Sequence, residues 1–175
     1  MINSVVSMGK RIVVIGSIVV IVAICLLALH YGYSAKDGSK TPEINTLLVD
    51  GTPFSLSDLE GKYVLLDFWG SWCGPCLKEI PDLIELNNDY SEKLVIVSIG
   101  LEKNDKTWRK VVDKFKLPWK HQIIEVTPIV LASKTARKYG VTEIPVKFLV
   151  DPQGILKGKM ELSEIRKLLE IETDQ

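Results

Sequence analysis

Cysteine and histidine are scarce in this 175-residue chain, which contains three cysteines and two histidines. Only Cys73 and Cys76 lie beyond the first forty residues, so a scaffold built from several disulfides is excluded. A structural zinc site needs about four ligands, and His121 is the one other candidate in that part of the chain. The two cysteines form a local pair, and a bridge across so short a segment removes little chain entropy. We therefore expect the pair to serve chemistry rather than stability.

An excess of positive charge is also absent. After residue 40 the chain carries 18 Lys and Arg against 21 Asp and Glu, a formal net charge of −3. This balance gives no footprint for nucleic acid, and we expect no nucleic-acid partner. There is no internal repeat and no low-complexity tract, and about 135 residues suffice for one core. Residues 41–175 are therefore interpreted as a single domain.

A long apolar run occupies the N-terminal part of the chain. No charged residue occurs from Ile12 to Leu29, and eighteen helical residues extend about 27 Å, close to the thickness of the hydrocarbon core. Lys10 and Arg11 precede the run and Tyr31 follows it, which predicts a cytoplasmic N-terminus by the positive-inside rule. The predicted organisation is a cytoplasmic segment 1–11, a transmembrane anchor 12–31, a linker 32–40 and an extracytoplasmic domain 41–175.

Two other interpretations of the N-terminal run stay open. A cleaved signal peptide has a similar basic start, but its apolar region is usually shorter and ends at a small-x-small cleavage site, which is poor here. A lipoprotein cysteine at Cys25 would have bulky Ile24 before it and apolar residues after it. We expect Cys25 to be a small apolar residue that faces lipid.

Hydrophobic periodicity predicts an α/β domain. Strands are predicted at 44–49, 54–56, 63–68, 94–99, 122–126, 146–150 and 155–157, and helices at 77–88, 108–115, 129–139 and 161–171. The spacing of Ser57 and Glu60 predicts a capping box for a brief helical turn. The order strand, helix, strand around the cysteines indicates a crossover unit with parallel strands.

The segment Trp72-Cys73-Gly74-Pro75-Cys76 lies where the third predicted strand ends and a helix begins. Unpaired N–H groups at the helix start favour a thiolate at Cys73. We expect Cys73 to attack a partner disulfide and Cys76, one turn further along and more shielded, to resolve the mixed disulfide. Pro75 is tolerated in a first turn, and Gly74 keeps the surface flat for a docked peptide. An inert bridge or a zinc half-site are the alternatives; Leu77, where a c-type haem motif has histidine, excludes that cofactor.

The stretch from Asp67 to Pro81, DFWGSWCGPCLKEIP, resembles thioredoxin, and more closely the membrane-anchored TlpA/ResA-type thiol-disulfide oxidoreductases. The similarity extends to residues 55–62, 139–141 and 144–154, nearly the whole domain after the tether. It implies a thioredoxin fold, a mixed β-sheet flanked by helices, with an added N-terminal β-hairpin and an inserted segment before the last hairpin.

The resemblance also implies roles for further residues. Asp67 matches the buried acid of thioredoxin, which relays the proton of the second cysteine, and many ResA relatives have a neutral residue there. Glu79 matches the acid of the pattern W-C-x-P-C-x-x-E-x-P and would tune the cysteine pKa values; an exposed helix glutamate is the alternative. Pro145 matches a cis-proline, and the Ile144 backbone would then pair with a substrate strand. Trp72 is expected on the docking surface.

The function implied is reduction of disulfides in extracytoplasmic protein substrates, such as apocytochrome c, without any cofactor or metal. Electrons would come from a membrane thiol reductase of the CcdA/DsbD type, because a reductase in an oxidising compartment needs a donor. A disulfide oxidant or isomerase of similar fold and a non-catalytic substrate-binding module are the alternatives. A peroxidase is disfavoured, because its T-x-x-C motif is absent. The direction of electron flow depends on the reduction potential, which spacing does not determine.

Overall fold

The structure is a computed structural model that describes residues 15–25 and 35–172. Residues 15–25 are helical with exposed side chains, and Cys25 is a free thiol. Within the two described ranges, no helix has both the length and the apolar character needed to cross a bilayer. The predicted anchor 12–31 lies partly outside the described residues, and the segment 1–11 and Tyr31 lie wholly outside them.

An N-terminal hairpin opens the domain, as predicted. It pairs β1 (Asn45–Leu47) with β2 (Pro53–Ser55) in antiparallel register. Gly51 has φ +87° in the connecting turn, a conformation that favours glycine. A short 3-10 helix, Leu56–Leu59, follows.

The capping box predicted from Ser57 and Glu60 is wrong. Ser55, not Ser57, is the residue before the 3-10 helix, and no side chain of its own caps it. The carboxylate of Glu43 accepts hydrogen bonds from the backbone N–H groups of Leu56 and Ser57 at 2.7 and 3.3 Å. Glu43, thirteen positions before Leu56, therefore provides the capping hydrogen bonds that the local motif predicts.

The central sheet has five strands in the order β5-β4-β3-β6-β7. Their bounds are β3 Tyr63–Trp69, β4 Leu94–Glu102, β5 His121–Val126, β6 Val146–Val150 and β7 Leu156–Lys159. Strands β3, β4 and β5 are parallel, whereas β6 pairs antiparallel with β3 and β7 antiparallel with β6. The central strand β3 is buried on both faces, which explains its nearly continuous apolar sequence. The sheet is mixed, as the resemblance implied.

Four helices cover the sheet: α1 Gly74–Tyr90, α2 Asp105–Phe115, α3 Lys134–Lys138 and α4 Leu162–Ile171. Side chains of α1 and α4 pack together with Leu65 and Ile96 on one face of the sheet, and α1 and α2 pack with Trp69 on that same face. The hairpin and α3 cover the opposite face around Phe68.

The single helix predicted over 129–139 is wrong. The chain forms a 3-10 turn at Val130–Ala132, breaks at Ser133 with extended backbone (ψ 132°), and only then begins α3. The Ser133 hydroxyl accepts a hydrogen bond from Ala136 N at 2.8 Å and caps α3. Ile129 and Leu131 are exposed, so their apolar character does not report burial in the core.

Candidate active site

A disulfide joins Cys73 and Cys76 at the N-terminus of α1. Cys73 is the N-cap residue, and its sulfur accepts a hydrogen bond from Cys76 N at 3.2 Å. Pro75 lies in the first turn, where its missing N–H removes no helical hydrogen bond. The N–H group and the helix dipole both favour negative charge at the Cys73 sulfur once the disulfide is opened.

The expected difference in exposure between the two cysteines is small in this oxidised state. Cys73 is 5% exposed and Cys76 is 3% exposed. Their positions still differ, because Cys73 precedes the helix and Cys76 lies inside its first turn. The flanking Gly74 and Pro75 are both exposed and form a low rim beside the sulfur atoms.

The loop before β6 faces the disulfide. The Ile144–Pro145 peptide bond is cis, and the Ile144 carbonyl oxygen lies 3.8 Å from Cys73 Sγ. The Ile144 side chain packs against the cluster that contains both cysteines. Residues seventy-one positions apart therefore meet at the sulfur atom that the sequence assigns to nucleophilic attack.

Two tryptophans flank the disulfide in different ways. Trp72 is 52% exposed, and its Nε1 donates to the Leu101 carbonyl at 2.8 Å, which fixes the ring beside Cys73. A Cβ on Gly70 would come within 2.8 Å of that Nε1 atom, so glycine allows this ring position. Trp69 is buried and donates to Ser98 Oγ at 2.6 Å.

Asp67 and Glu79 are brought together by a lysine that the sequence analysis did not single out. Along β3, Asp67 lies two positions from Leu65 and two from Trp69, so it shares their face of the sheet, the face that α1 covers. Lys147 pairs with Asp67 in the β3–β6 register, and its Nζ lies 3.8 Å from Asp67 Oδ1 and 2.5 Å from Glu79 Oε2. Glu79 is one turn after Cys76 on α1 and is partly buried, not a free surface glutamate.

Burial is the main influence on the Asp67 carboxyl group. Desolvation raises its pKa from 3.8 to about 6, the charge of Lys147 opposes the rise, and the charge of Glu79 adds to it. Asp67 thus changes protonation near the pH range in which proton transfer to or from a thiol is useful.

Glu102, at the end of β4, is a second buried carboxylate that the sequence analysis missed. Its two oxygens accept from Ser71 N at 2.5 Å and from Ser71 Oγ at 2.8 Å. Burial raises its pKa, and the hydrogen bonds from Ser71 oppose that rise. Ser71 is two residues before Cys73, so Glu102 holds the loop that leads into the disulfide. The available signal was an acid two residues after Gly100, close to the end of an apolar run.

The structure thus groups most of the predicted site residues. Cys73, Cys76 and Ile144 meet directly, Pro145 follows Ile144 in a cis peptide bond, and Trp72, Gly74 and Pro75 are the sequence neighbours of the cysteines. Asp67 of β3 and Glu79 of α1 are joined to each other through Lys147 of β6. His121 lies apart from this group, in β5, where its ring packs against Phe54 with centroids 5.6 Å apart.

The chain matches a family of known proteins across its central part. Residues 61–156 match the family model described as thioredoxin-like. The chain is 30% identical over 148 residues to the thiol-disulfide oxidoreductase ResA of Bacillus cereus, covering 81% of this chain and 82% of that protein. It is 29% identical over 157 residues to the thioredoxin-like protein YneN of Bacillus subtilis, covering 82% and 88% of the two chains.

A solved structure gives the same result. The thioredoxin domain of a thiol-disulfide oxidoreductase from Bacteroides vulgatus superposes with a TM-score of 0.67 at 27% identity, covering 77% of this chain and 99% of that one. Sequence and fold therefore agree on one family.

Proposed function

This chain belongs to the thioredoxin-like family and is a thiol-disulfide oxidoreductase homologous to ResA, and from that premise we propose that it reduces disulfides of extracytoplasmic proteins. The observation that carries the proposal is the Cys73–Cys76 disulfide at the start of α1 beside the Ile144 carbonyl, on the same helix that joins the buried Asp67–Lys147–Glu79 cluster through Glu79. In this proposal the Ile144 loop receives the client polypeptide, and Asp67 accepts a proton from the cysteine pair.

The reaction begins with the dithiol. The Cys73 thiolate attacks one sulfur of the client disulfide, which breaks that bond and releases the other client sulfur as a thiolate that takes up a proton. Cys76 gives its proton to Asp67, and its sulfur attacks Cys73 Sγ. The second client thiolate leaves and the Cys73–Cys76 disulfide forms, so two electrons pass from the dithiol to the client.

A protein client, rather than a small disulfide, is supported by the surface around Trp72. A groove of about 360 Å³ lies between Trp72 and residues 127–131 and is lined mostly by apolar residues, among them Ile129 and Leu131. Both are more than half exposed. The carbonyl of Ile144 offers a hydrogen-bond acceptor to an extended client backbone beside the same sulfur. Together these groups can contact several client residues on either side of a cysteine.

Placement outside the cytoplasm and the membrane anchor rest on the apolar run 12–29 and its basic flank. In an oxidising compartment the Cys73–Cys76 pair must be reduced again after each turnover, so a membrane thiol reductase of the CcdA/DsbD type is the proposed electron donor. Apocytochrome c, whose haem-attachment cysteines must be reduced, is the proposed client.

The decisive experiment measures the reduction potential of the Cys73–Cys76 couple in the purified full chain, together with insulin reduction. A potential near thioredoxin's, about −270 mV, and rapid insulin reduction are expected. Cys73→Ser should abolish the activity, Cys76→Ser should trap a mixed disulfide with the client, and Cys25→Ser should leave the activity unchanged.

Two outcomes contradict the proposal. A potential near −120 mV, roughly that of strong protein oxidants, would identify the chain as an oxidant or isomerase instead. Retention of activity in cells by Cys73→Ser would identify a non-catalytic module that holds substrates.

A further inference from the structure

Lys147 is a buried lysine whose ammonium group lies between two carboxylates. Only 3% of its side chain is exposed, and it contacts Glu79 Oε2 at 2.5 Å and Asp67 Oδ1 at 3.8 Å. Burying an ammonium group is costly unless it is paired, and these two acids supply the opposite charge. Lys147 is also the one charged residue inside the apolar strand β6.

The charges of this cluster depend on Lys147. Two neighbouring carboxylates in a buried site repel each other, so one of them retains its proton to higher pH. A lysine between them offsets that repulsion, and the charge of Lys147 lowers the pKa of Asp67 against the effect of burial. Without Lys147, Asp67 would be desolvated and would face the negative charge of Glu79 with no compensation.

We propose that Lys147 is a positioning residue for the second half of the reaction, in which its ammonium group keeps the Asp67 carboxylate ionised and oriented to accept the proton of Cys76. This inference rests on the proposed function, because it concerns the step that resolves the mixed disulfide. In that step the Cys76 S–H bond breaks, its proton passes to Asp67, and the sulfur's electron pair forms the bond to Cys73 Sγ as the client thiolate leaves.

The surroundings of Asp67 contain few other charged groups. Glu79 faces it from α1 and Lys147 from β6, while its partner in β4 is the uncharged Ser98. A groove of about 180 Å³ reaches Glu79 and Lys147 from solvent, and its rim carries three further charged residues: Lys159, Glu161 and Glu164. This groove provides a path by which the proton leaves the cluster for water after each turnover.

The resolving step can be measured separately from the attack. The full chain, with Cys25→Ser to remove the free thiol, is reduced and mixed with one equivalent of the aromatic disulfide DTNB between pH 5 and 9. Attack by Cys73 releases the first thionitrobenzoate, and resolution by Cys76 releases the second. In the unaltered cluster we expect the rate of the second phase to fall as the pH drops through about 6, where Asp67 takes up its proton.

Three variants test the role of the charge. Lys147→Met should raise the pH midpoint of the second phase by about one unit, which slows that phase about twofold at pH 7 and about tenfold at pH 5, while the first phase changes little. Glu79→Gln should lower the midpoint, because it removes a negative charge near Asp67. Lys147→Arg keeps the charge and should retain most of the rate of the second phase. Lys147→Met and Glu79→Gln should thus move the midpoint in opposite directions. If Lys147 only stabilised the fold, its replacement would not shift the midpoint.

A double variant tests whether Lys147 acts through Asp67. In an Asp67→Asn background, Lys147→Met should cause no further slowing of the second phase, since the group that it serves is already absent. The inference would be overturned if Lys147→Met slowed the second phase further in this background. It would also be overturned if Lys147→Met alone left the midpoint unmoved, or if Glu79→Gln raised it. If Lys147→Met does not fold, Lys147→Gln, which also removes the charge but keeps a polar side chain, takes its place, and the same rise of the midpoint is expected. Loss of the first phase in the unaltered cluster would instead overturn the proposed function.

Discussion

Among the single side chains, Asp67 is the one at which stability and chemistry oppose each other. Its folded-state pKa of about 6 lies above the value of 3.8 expected for an exposed group. Between these two values the folded state holds a proton that the unfolded state has lost, so stability falls as the pH rises through this window. A carboxylate retained at this cost is consistent with its proposed use in proton transfer.

Replacing Asp67 with asparagine should therefore stabilise the oxidised protein at high pH. The free energy of unfolding of the variant should exceed that of the unaltered protein only slightly at pH 4 and by about 1 to 3 kcal/mol at pH 8. The difference grows because burial destabilises only the ionised acid. Urea unfolding at the two pH values measures it. Asp82→Asn, which alters an exposed carboxylate of α1, is the matched control and should show no such gain. Equal destabilisation by Asp67→Asn at both pH values would contradict this account.

Glu102 provides a second prediction, concerning the geometry of the cysteine loop. Glu102→Gln replaces one acceptor oxygen by a donor, so one of the two hydrogen bonds from Ser71 is lost or rearranged at a cost of about 1–2 kcal/mol. Because that loop leads into Cys73, the reaction of Cys73 with DTNB should slow about three- to tenfold.

A matched control exists for this variant. Glu125 accepts from Lys134 N and from the backbone and hydroxyl of Thr135, in a similar arrangement at the start of α3. Glu125→Gln should lower the free energy of unfolding by a comparable amount and leave Cys73 reactivity unchanged. Equal loss of reactivity in the two variants would mean that Glu102 acts only through stability.

These side chains also show where sequence reasoning ends. Cys73 and Cys76 could be recognised because their relation is local, three positions apart on one turn. Lys147 contacts a residue 68 positions away, and Glu102 contacts one 31 positions away, so only the fold reveals their partners. The sequence did carry a signal for Lys147, namely a lysine between Val146 and Phe148 in an apolar strand. A charge that is buried in this way requires a partner.

For the helices and strands, local patterns predicted those elements that the core stabilises. The unit β3-α1-β4 follows directly from two apolar runs and the cysteine helix between them, and the strands are parallel as expected. The segment 129–139 was predicted incorrectly because Ile129 and Leu131 follow no burial pattern, and because a Ser133 cap can begin a helix inside a helix-compatible stretch.

The exposed part of this segment leads to a prediction about substrate choice. The double variant Ile129→Ser/Leu131→Ser removes apolar surface from the groove beside Trp72 without touching the core. Both side chains are more than half exposed, so the loss of stability should be small. The KM for insulin reduction should rise about three- to tenfold, because apolar contact with a polypeptide is lost, whereas the reaction with DTNB should be unchanged.

Val126, the last residue of β5, provides the matched control for that surface. Val126 is exposed to a similar degree but does not line the groove, so Val126→Ser should leave both reactions unaltered. An unchanged KM for insulin in the double variant would show that the groove does not bind protein clients.

At the level of the whole chain, the thioredoxin fold with an added hairpin could be predicted because one motif resembles a family whose fold is shared. The five-stranded order was not readable from the strands alone. It depends on β6 returning beside β3, which brings the Ile144–Pro145 loop to the cysteines. Long-range pairing of this kind has no local sequence signal, so family resemblance was the only route to it.

The orientation of this chain across the membrane in the cell can be tested with fusion proteins. If Lys10 and Arg11 hold the N-terminus in the cytoplasm, the domain after residue 40 lies outside it. Alkaline phosphatase fused after Gln175, which is active only when exported, should then be active and remain with the membrane fraction. A fusion to green fluorescent protein through the same export route should be dark. The variant Lys10→Glu/Arg11→Glu should lower the phosphatase activity, because it removes the charges that set the orientation. An inactive phosphatase fusion with a fluorescent counterpart would place the redox site in the cytoplasm and remove the need for a membrane electron donor.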